Sequence, residues 1–179
     1  ASLWGWIDAA LFSSPLAVAE RFMQGAASGE LATAMLASLG RAFAGGAAGI
    51  AGGLFCGLLL ALRPRAGQIV TPSLNVLRHI VLFAWLPLLT AWVGNDNVGK
   101  IVFIALASFF PMFFSTLQAV LQRSPQLDEA ARVLRLGGLT RLRVLILPGA
   151  APGIFAGLRL AMIYAWLGNI GAEYFMSSG

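Results

Sequence analysis

The segment Gly94-Asn95-Asp96-Asn97-Val98-Gly99-Lys100-Ile101 has the glycine and lysine spacing of a loop that binds nucleotide phosphates. In such loops the residue after the lysine is Ser or Thr, whose hydroxyl binds the magnesium ion. Here that residue is Ile101, and apolar runs flank the segment where the motif needs a strand before it and a helix after it. We therefore predict that the segment is a turn that does not bind ATP.

The residue types that serve catalysis or metal binding do not combine into a site. His79 is the only histidine, and it has no cysteine or carboxylate at ligand spacing. Cys56 is the only cysteine and lies in an apolar run, which predicts an inert buried thiol. No Ser/His/Asp set and no carboxylate pair can be assembled on one face. The sequence therefore predicts no catalytic residue, no metal, no cofactor and no enzyme activity.

The segment 124–138 has the pattern of a short amphipathic helix. Its signals are a Ser-Pro start, early acidic residues and a Gly-Gly end, contributed by Ser124, Pro125, Asp128, Glu129, Gly137 and Gly138. One face holds apolar residues at helical spacing, namely Leu127, Ala130, Ala131 and Leu134. The two alanines make this face shallow, so it can seat in a groove of a partner protein. A helix that lies on lipid headgroups has the same pattern, and the residues alone leave both interpretations open.

The composition indicates that this segment is attached to a membrane protein. The chain has 179 residues, 59% of them hydrophobic and 11% charged, with a mean hydropathy of +0.82, whereas soluble domains have about 25% charged residues. Uncharged runs at 42–62 and 101–121 are each long enough to cross a hydrocarbon core of about 30 Å. Less regular spans are predicted at 71–93 and 152–172, and a coupling loop at 122–148. We predict an all-α fold, a polytopic membrane helix bundle.

The distribution of arginines predicts the orientation of the bundle. Cytoplasmic loops carry an excess of Lys and Arg. One side of the predicted bundle holds most of them, namely Arg63, Arg65, Arg78, Arg123, Arg132, Arg135, Arg141 and Arg143. The opposite side holds Arg21, Arg41 and Lys100 together with most of the carboxylates. The arginine-rich side is therefore predicted to be cytoplasmic and the first forty residues external, with a helix from Pro15 to about Gln24. The asymmetry explains the formal charge of +5 without a nucleic-acid partner.

Two glycine series predict close helix packing. The first series is Gly45, Gly49, Gly53 and Gly57, and the second is Gly149, Gly153 and Gly157, continued by Ala161. A spacing of four residues places each series on a slowly winding strip of its helix. Because lipid gives membrane helices no hydrophobic reason to associate, such strips stabilise a bundle through close backbone approach. The partner helix can lie in the same chain or in a second copy.

The sequence resembles the permeases of binding-protein-dependent ABC importers. Their cytoplasmic signature, Glu-Ala-Ala followed later by Ile-x-Leu-Pro, is matched by Glu129-Ala130-Ala131 and Leu145-Ile146-Leu147-Pro148. The branch that imports sulfonates, taurine, nitrate and related small compounds is similar in further short motifs, namely Ser13-Ser14-Pro15, Ser38-Leu39-x-Arg41, Gly157-x-Arg159-x-Ala161 and Trp166 with Ala172-Glu173. The resemblance covers nearly the whole chain. It implies the type I ABC importer transmembrane domain, in a multi-pass protein of the bacterial inner membrane.

The resemblance also implies the partners and the role of the amphipathic segment. It would be a coupling helix that docks in a cleft of a separate cytoplasmic ATPase, present in two copies. The residues that carry this role would be Asp128, Glu129, Ala130, Ala131, Leu134, Gly137, Gly138, Leu147 and Pro148. The other expected partners are an external substrate-binding protein, a second permease copy in a homodimer, and membrane lipid.

The chain departs from the family pattern in two respects. The signature glycine is expected four residues after Ala131, but Arg135 stands there, with glycines at 137 and 138 instead. The family also has a spanning helix before the region that matches Ala1 and further sequence after Gly179. We therefore expect that the chain is truncated and that the intact subunit has about six spans.

Two other functions remain as alternatives. An ion-coupled carrier or channel uses charges inside the membrane as relays, and Arg78, Arg159 and Glu173 fit that description. A membrane scaffold without transport activity explains the packing but not the signature. For an importer of this branch, the expected substrate is a small anion such as a sulfonate, taurine or nitrate. Arg41, Arg78 and Arg159 offer positive charge near the membrane, although for any one of them the role of an ordinary boundary arginine is the favoured interpretation.

Overall fold

The computed structural model describes residues 15–63, 72–76, 82–94, 96–122 and 137–176, and the described residues form helices and turns without a strand. Within these ranges the helices of eight residues or more are α1 (Pro15–Ser28), α2 (Glu30–Leu62), α3 (Leu86–Val93), α4 (Asn97–Leu121) and α5 (Leu147–Met176). A 3₁₀ helix (Leu82–Trp85) precedes α3, and a helical turn (Gly138–Arg141) followed by a π-helix (Leu142–Ile146) precedes α5. The predicted all-α fold is confirmed.

The N-terminal unit comprises residues 1–40, and residues 41–179 form a second compact unit. In the first unit α1 begins at Pro15, where the missing N–H costs nothing because the first helical donors have no partner within a helix. Helix α1 extends to Ser28, beyond the predicted end near Gln24. Gly29 has a φ of 77°, a left-handed conformation that glycine adopts without strain, and it separates α1 from α2.

Helix α4 is the centre of the second unit. Asp96 caps its N-terminus, since the side chain accepts a hydrogen bond of 3.2 Å from the backbone N–H of Gly99. Phe103, Ile104, Phe113 and Val120 along α4 are fully buried. Phe113 stacks on Phe109, with ring centroids 5.7 Å apart. The buried residues of α4 thus form the apolar core against which α2 and α5 pack.

Helix α5 begins after an irregular segment. The backbone N–H of Leu147 donates to the carbonyl of Leu142, five residues earlier, which is the bond of a π-helix. Pro148 follows at once, and a proline can neither donate to the carbonyl four residues earlier nor accommodate it beside its ring. The wider turn before Pro148 avoids that clash. Pro152 lies inside α5, which continues to Met176.

Three helical stretches are long and apolar enough to cross a membrane: Glu30–Leu62, Asn97–Leu121 and Leu142–Met176. They include the predicted spans 42–62, 101–121 and 152–172. Large apolar side chains on α2 and α5 remain exposed, among them Phe43, Phe55, Phe155, Trp166 and Phe175. Exposed apolar side chains of this kind are compatible with lipid, whose hydrocarbon tails are as apolar as they are.

Candidate functional site

The first glycine series forms the contact between α2 and α4. Gly45, Gly49, Gly53 and Gly57 are all buried. A β-carbon on Gly45, Gly53 or Gly57 would lie 2.7, 2.6 or 2.8 Å from the carbonyl oxygen of Ile101, Phe109 or Phe113, respectively. On Gly49 it would overlap the carbonyl oxygen of Ala105 and the hydroxyl of Ser108. The α2 backbone therefore approaches α4 so closely that no side chain fits between them.

The register of this contact shows that α2 and α4 run in the same direction. Each of the four glycines meets the residue 56 positions later in the chain, so both residue numbers rise together along the contact. Two parallel helices that both cross a bilayer require the intervening chain, residues 63–96, to return across it. The prediction of a span at 71–93 lies partly outside the described residues and stays a prediction, but this register supports it.

The second glycine series lies between α5 and α4. A β-carbon on Gly153 would lie 2.5 Å from that of Ala119, and one on Gly157 would overlap that of Ser115. Gly168 meets Ala107 in the same way, at 3.0 Å. The residue numbers on α4 fall as those on α5 rise, so the two helices are antiparallel. Gly149 is exposed in the described structure, and the contact begins at Gly153.

A polar cluster joins all three long helices at the end of the bundle that is predicted to be external. The Arg41 Nη2 group on α2 donates to Glu173 Oε1 on α5 at 2.7 Å, and these side chains are 17% and 34% exposed. The Nη1 group donates to Asn97 Oδ1, at the start of α4, at 3.1 Å. Arg41 and Asn97 are also 56 positions apart. Arg41 therefore continues the glycine series by one turn toward the predicted outside.

In the sequence, the predicted coupling residues lie between the C-terminal end of α4 and the first residues of α5. Asp128, Glu129, Ala130, Ala131 and Leu134 fall outside the described residues. Gly137 and Gly138 are exposed, and nothing lies within 4 Å of a β-carbon built on either. Leu147 and Pro148 are also exposed, directly after the π-helix. These four coupling residues are thus accessible in the single chain.

Comparison with known proteins identifies the family. The sequence family described as the binding-protein-dependent transport system inner membrane component matches residues 49–179. The chain belongs to this family. The match covers α4 and α5 in full and most of the glycine contact on α2. The apolar helices of the chain therefore belong to a multi-pass protein of the inner membrane.

Relatives in this permease family carry names from three transport systems. The putative aliphatic sulfonates transport permease protein of Bacillus subtilis is 36% identical over 174 residues, which are 97% of this chain and 63% of that protein. The bicarbonate transport system permease protein of Synechococcus elongatus is 32% identical over 125 residues, 70% of this chain and 45% of that protein. The nitrate import permease protein of the same species is 28% identical over 165 residues, 92% of this chain and 59% of that protein. This chain thus spans less than two thirds of the length of these relatives.

The remaining candidate residues of the permease do not form a second site within the described parts of the chain. Arg78 and His79 lie outside them, and Arg159 is exposed on α5. Cys56 is partly buried on α2. The described residues contain no group of three His, Cys, Asp or Glu side chains that could hold a metal ion. In the phosphate-loop-like segment, Asp96 caps α4, which is a structural role.

The ion pair between Arg41 and Glu173 is a feature that sequence reasoning did not predict. The two residues are 132 positions apart and lie on different helices, so no local spacing relates them. A partial signal was present in the glycine series. Extending its period of four backwards from Gly45 reaches Arg41, which places the guanidinium on the helix face that packs against α4.

Proposed function

We propose that the chain is part of the membrane-spanning permease subunit of an ATP-driven importer and contributes to the substrate pathway. The observation that carries this proposal is the family match over residues 49–179, because those residues build most of the glycine-packed bundle. A bundle in which backbones touch is stiff within each contact. Such a body can move as a unit when a partner acts on one end of it.

The partner that supplies the energy is, in this proposal, a cytoplasmic ATPase present in two copies. The segment from Asp128 to Leu134 docks in a cleft of that ATPase as a coupling helix, and Gly137, Gly138, Leu147 and Pro148 connect it to α5. Two findings support this role: the exposure of those four residues, and the π-helix that links the segment to a membrane span. An external binding protein delivers the substrate, and two permease copies pair around the pathway.

The proposed substrate is a small oxyanion. The relatives described above are named for aliphatic sulfonates, bicarbonate and nitrate. These compounds share a negative charge spread over two or three oxygen atoms bound to one central atom. An importer of this kind needs hydrogen-bond donors and positive charge along its pathway, which Arg41 provides at one end of the described bundle.

The ion pair of Arg41 and Glu173 also favours the alternative of an ion-coupled carrier, because charged pairs near the membrane occur in proton and ion relays. Uptake into vesicles separates the two functions. The importer needs ATP together with the partner ATPase, whereas the carrier needs an ion gradient. Uptake that follows the gradient and ignores ATP would replace the importer by the carrier.

The coupling role is tested by Ala131→Glu. A bulky charge on the shallow face blocks seating in the ATPase cleft, so we expect loss of ATPase co-purification and of ATP-dependent uptake, while the permease still inserts in the membrane. Glu129→Ala is the milder comparison. It removes a favourable interaction with the helix dipole worth about 0.3–1 kcal/mol and leaves the face intact, so coupling falls less. If Ala131→Glu keeps both the ATPase and full uptake, the segment is not the docking element.

A further inference from the structure

The guanidinium of Arg41 binds two oxygen atoms that come from different helices. Its Nη2 group donates to a carboxylate oxygen of Glu173 at 2.7 Å and its Nη1 group to the amide oxygen of Asn97 at 3.1 Å. The two terminal nitrogens of arginine form a planar fork that fits two oxygens of one carboxylate or another oxyanion. In this structure two separate side chains each supply one oxygen to that fork.

The position of the cluster makes it reachable for a solute. The Arg41 side chain is 17% exposed and that of Glu173 is 34% exposed, and Asn97 is exposed at the N-terminus of α4. The N-terminus of α4 adds the positive end of the helix dipole there, which the carboxylate of the Asp96 cap partly offsets. Of the charged residues nearby on α4, Asp96 is the helix cap and Lys100 lies one turn further along. An anion that arrives from the predicted external side would meet the guanidinium behind two side chains.

We infer that Arg41 is the residue that recognises the oxyanion at this end of the bundle, and that Glu173 and Asn97 occupy its hydrogen-bonding positions until the substrate displaces them. This inference rests on the proposed function, because it names a residue for the substrate class proposed above. An oxyanion supplies from one molecule the two oxygens that the side chains supply separately. The Glu173 carboxylate, already partly exposed, then turns to solvent.

Displacement also has a mechanical result. Glu173 is on α5 and Arg41 is on α2, so their ion pair ties these two helices at the predicted external end. An anion bound to Arg41 in place of Glu173 releases that tie. Binding of substrate and separation of α2 from α5 at this end are therefore one event. The free energy that the anion gains must exceed that of the ion pair it replaces.

The competition between substrate and Glu173 provides the test. The permease assembled with its ATPase in lipid nanodiscs is titrated with sodium methanesulfonate, nitrate and bicarbonate, with chloride as the control at equal ionic strength. The readout is the rise in melting temperature with ligand concentration, which reports binding to the folded state and needs no ATP. We expect stabilisation by at least one oxyanion and none by chloride.

The variants give opposite expected effects. Glu173→Gln removes the competing charge, so the half-saturating oxyanion concentration falls by about two- to tenfold. Arg41→Gln removes the fork, so that concentration rises about tenfold or more. Arg21→Gln on α1, an exposed arginine on the same predicted side, changes nothing and serves as the matched control. If Arg41→Gln does not fold, Arg41→Lys, which keeps the charge but not the planar fork, must still weaken binding.

Several results would overturn the inference. They are an unchanged or higher half-saturating concentration in Glu173→Gln, unchanged binding in the Arg41 variants, and the absence of any oxyanion effect on the wild type and Glu173→Gln alike. The exchange of charges, Arg41→Glu with Glu173→Arg, adds a structural control. It should restore the melting temperature without restoring oxyanion affinity, since the guanidinium then projects from another helix. If the wild type binds oxyanions through Arg41 but shows no ATP-dependent uptake, the proposed importer function is wrong while the inference about Arg41 stands.

Discussion

A methyl group added at Gly49, as in alanine, has opposite effects on the stability of the isolated helix and on that of the bundle. Within an isolated helix, alanine is favoured over glycine by about 1 kcal/mol because glycine loses more backbone entropy on folding. In the bundle, the added carbon would overlap the carbonyl oxygen of Ala105 and the hydroxyl of Ser108. A clash with backbone cannot be relieved by rotating a side chain, so the helices must move apart.

We therefore expect Gly49→Ala to destabilise the permease by about 1–3 kcal/mol, the cost of overpacking a well-packed core. Gly40→Ala, also on α2, is the matched control, because nothing lies within 4 Å of a β-carbon there. It should leave stability unchanged or raise it by up to about 1 kcal/mol. Denaturation in detergent, followed by circular dichroism, measures both. Equal effects of the two substitutions would show that the α2 and α4 contact is looser than described.

Among the elements, the π-helix at Leu142–Ile146 has the clearest functional consequence. A π-helix contains one residue more per hydrogen-bonded turn than an α-helix, and such turns occur frequently at functional sites. This one lies between the predicted coupling segment and α5. The wider turn holds the extra residue within one revolution, so the segments on either side stay in register, and it spares Pro148 a clash at the start of the membrane span.

Deletion of Val144 tests this consequence. Val144 is exposed, so its loss removes no core contact. The deletion lets an α-helical turn replace the π-helix, which keeps the preceding segment in register with α5 but brings Pro148 against the carbonyl four residues earlier, so the start of α5 is strained. We expect the ATPase to remain bound while its hydrolysis no longer drives uptake. Val144→Ala keeps the chain length and should behave as the wild type. Full uptake after the deletion would show that coupling does not depend on this wide turn.

Helix boundaries were predicted correctly where an uncharged run ends with the helix, and were missed where a charged residue lies inside the helix. Uncharged runs gave the C-terminal ends of α2 and α4, since the predicted spans and the helices both end at 62 and 121. The beginnings were missed, because Arg41 and Lys100 interrupt the runs while the helices continue through them. Arg41 is accommodated by Glu173 and Asn97, partners that only the folded arrangement brings near. The π-helix was missed as well, because it lies within the segment 122–148 that was predicted to be a loop.

For the whole molecule, the arginine distribution and the parallel register of α2 and α4 lead to the same topology. A parallel pair requires a return crossing between its members, and the arginine bias requires that residues 63–65 and 141–143 share one side. Both conditions hold for the predicted orientation. The orientation itself stays a prediction.

Cysteine labelling in intact cells determines this orientation. In a Cys56→Ala background, Thr140→Cys should react only after the membrane is made permeable, and Ser28→Cys should react with an impermeant reagent added outside. Both positions are exposed in the structure, so differences in reactivity report the side of the membrane. The reverse pattern would place the segment 124–138 outside the cell and exclude its docking to a cytoplasmic ATPase.

The period of four in the contact between α2 and α4 has a further consequence. A surface that repeats every four residues looks almost the same after one helix slides by four residues, about 6 Å, along the other. Gly49 could then face Ile101 as well as Ala105, with little change in fit. Arg41 and Asn97 break this repetition, since their hydrogen bond forms only in the observed alignment. Polar residues in coiled coils select one alignment among several in this way, at some cost in stability. Without this pair the two helices would still associate tightly, but in more than one alignment.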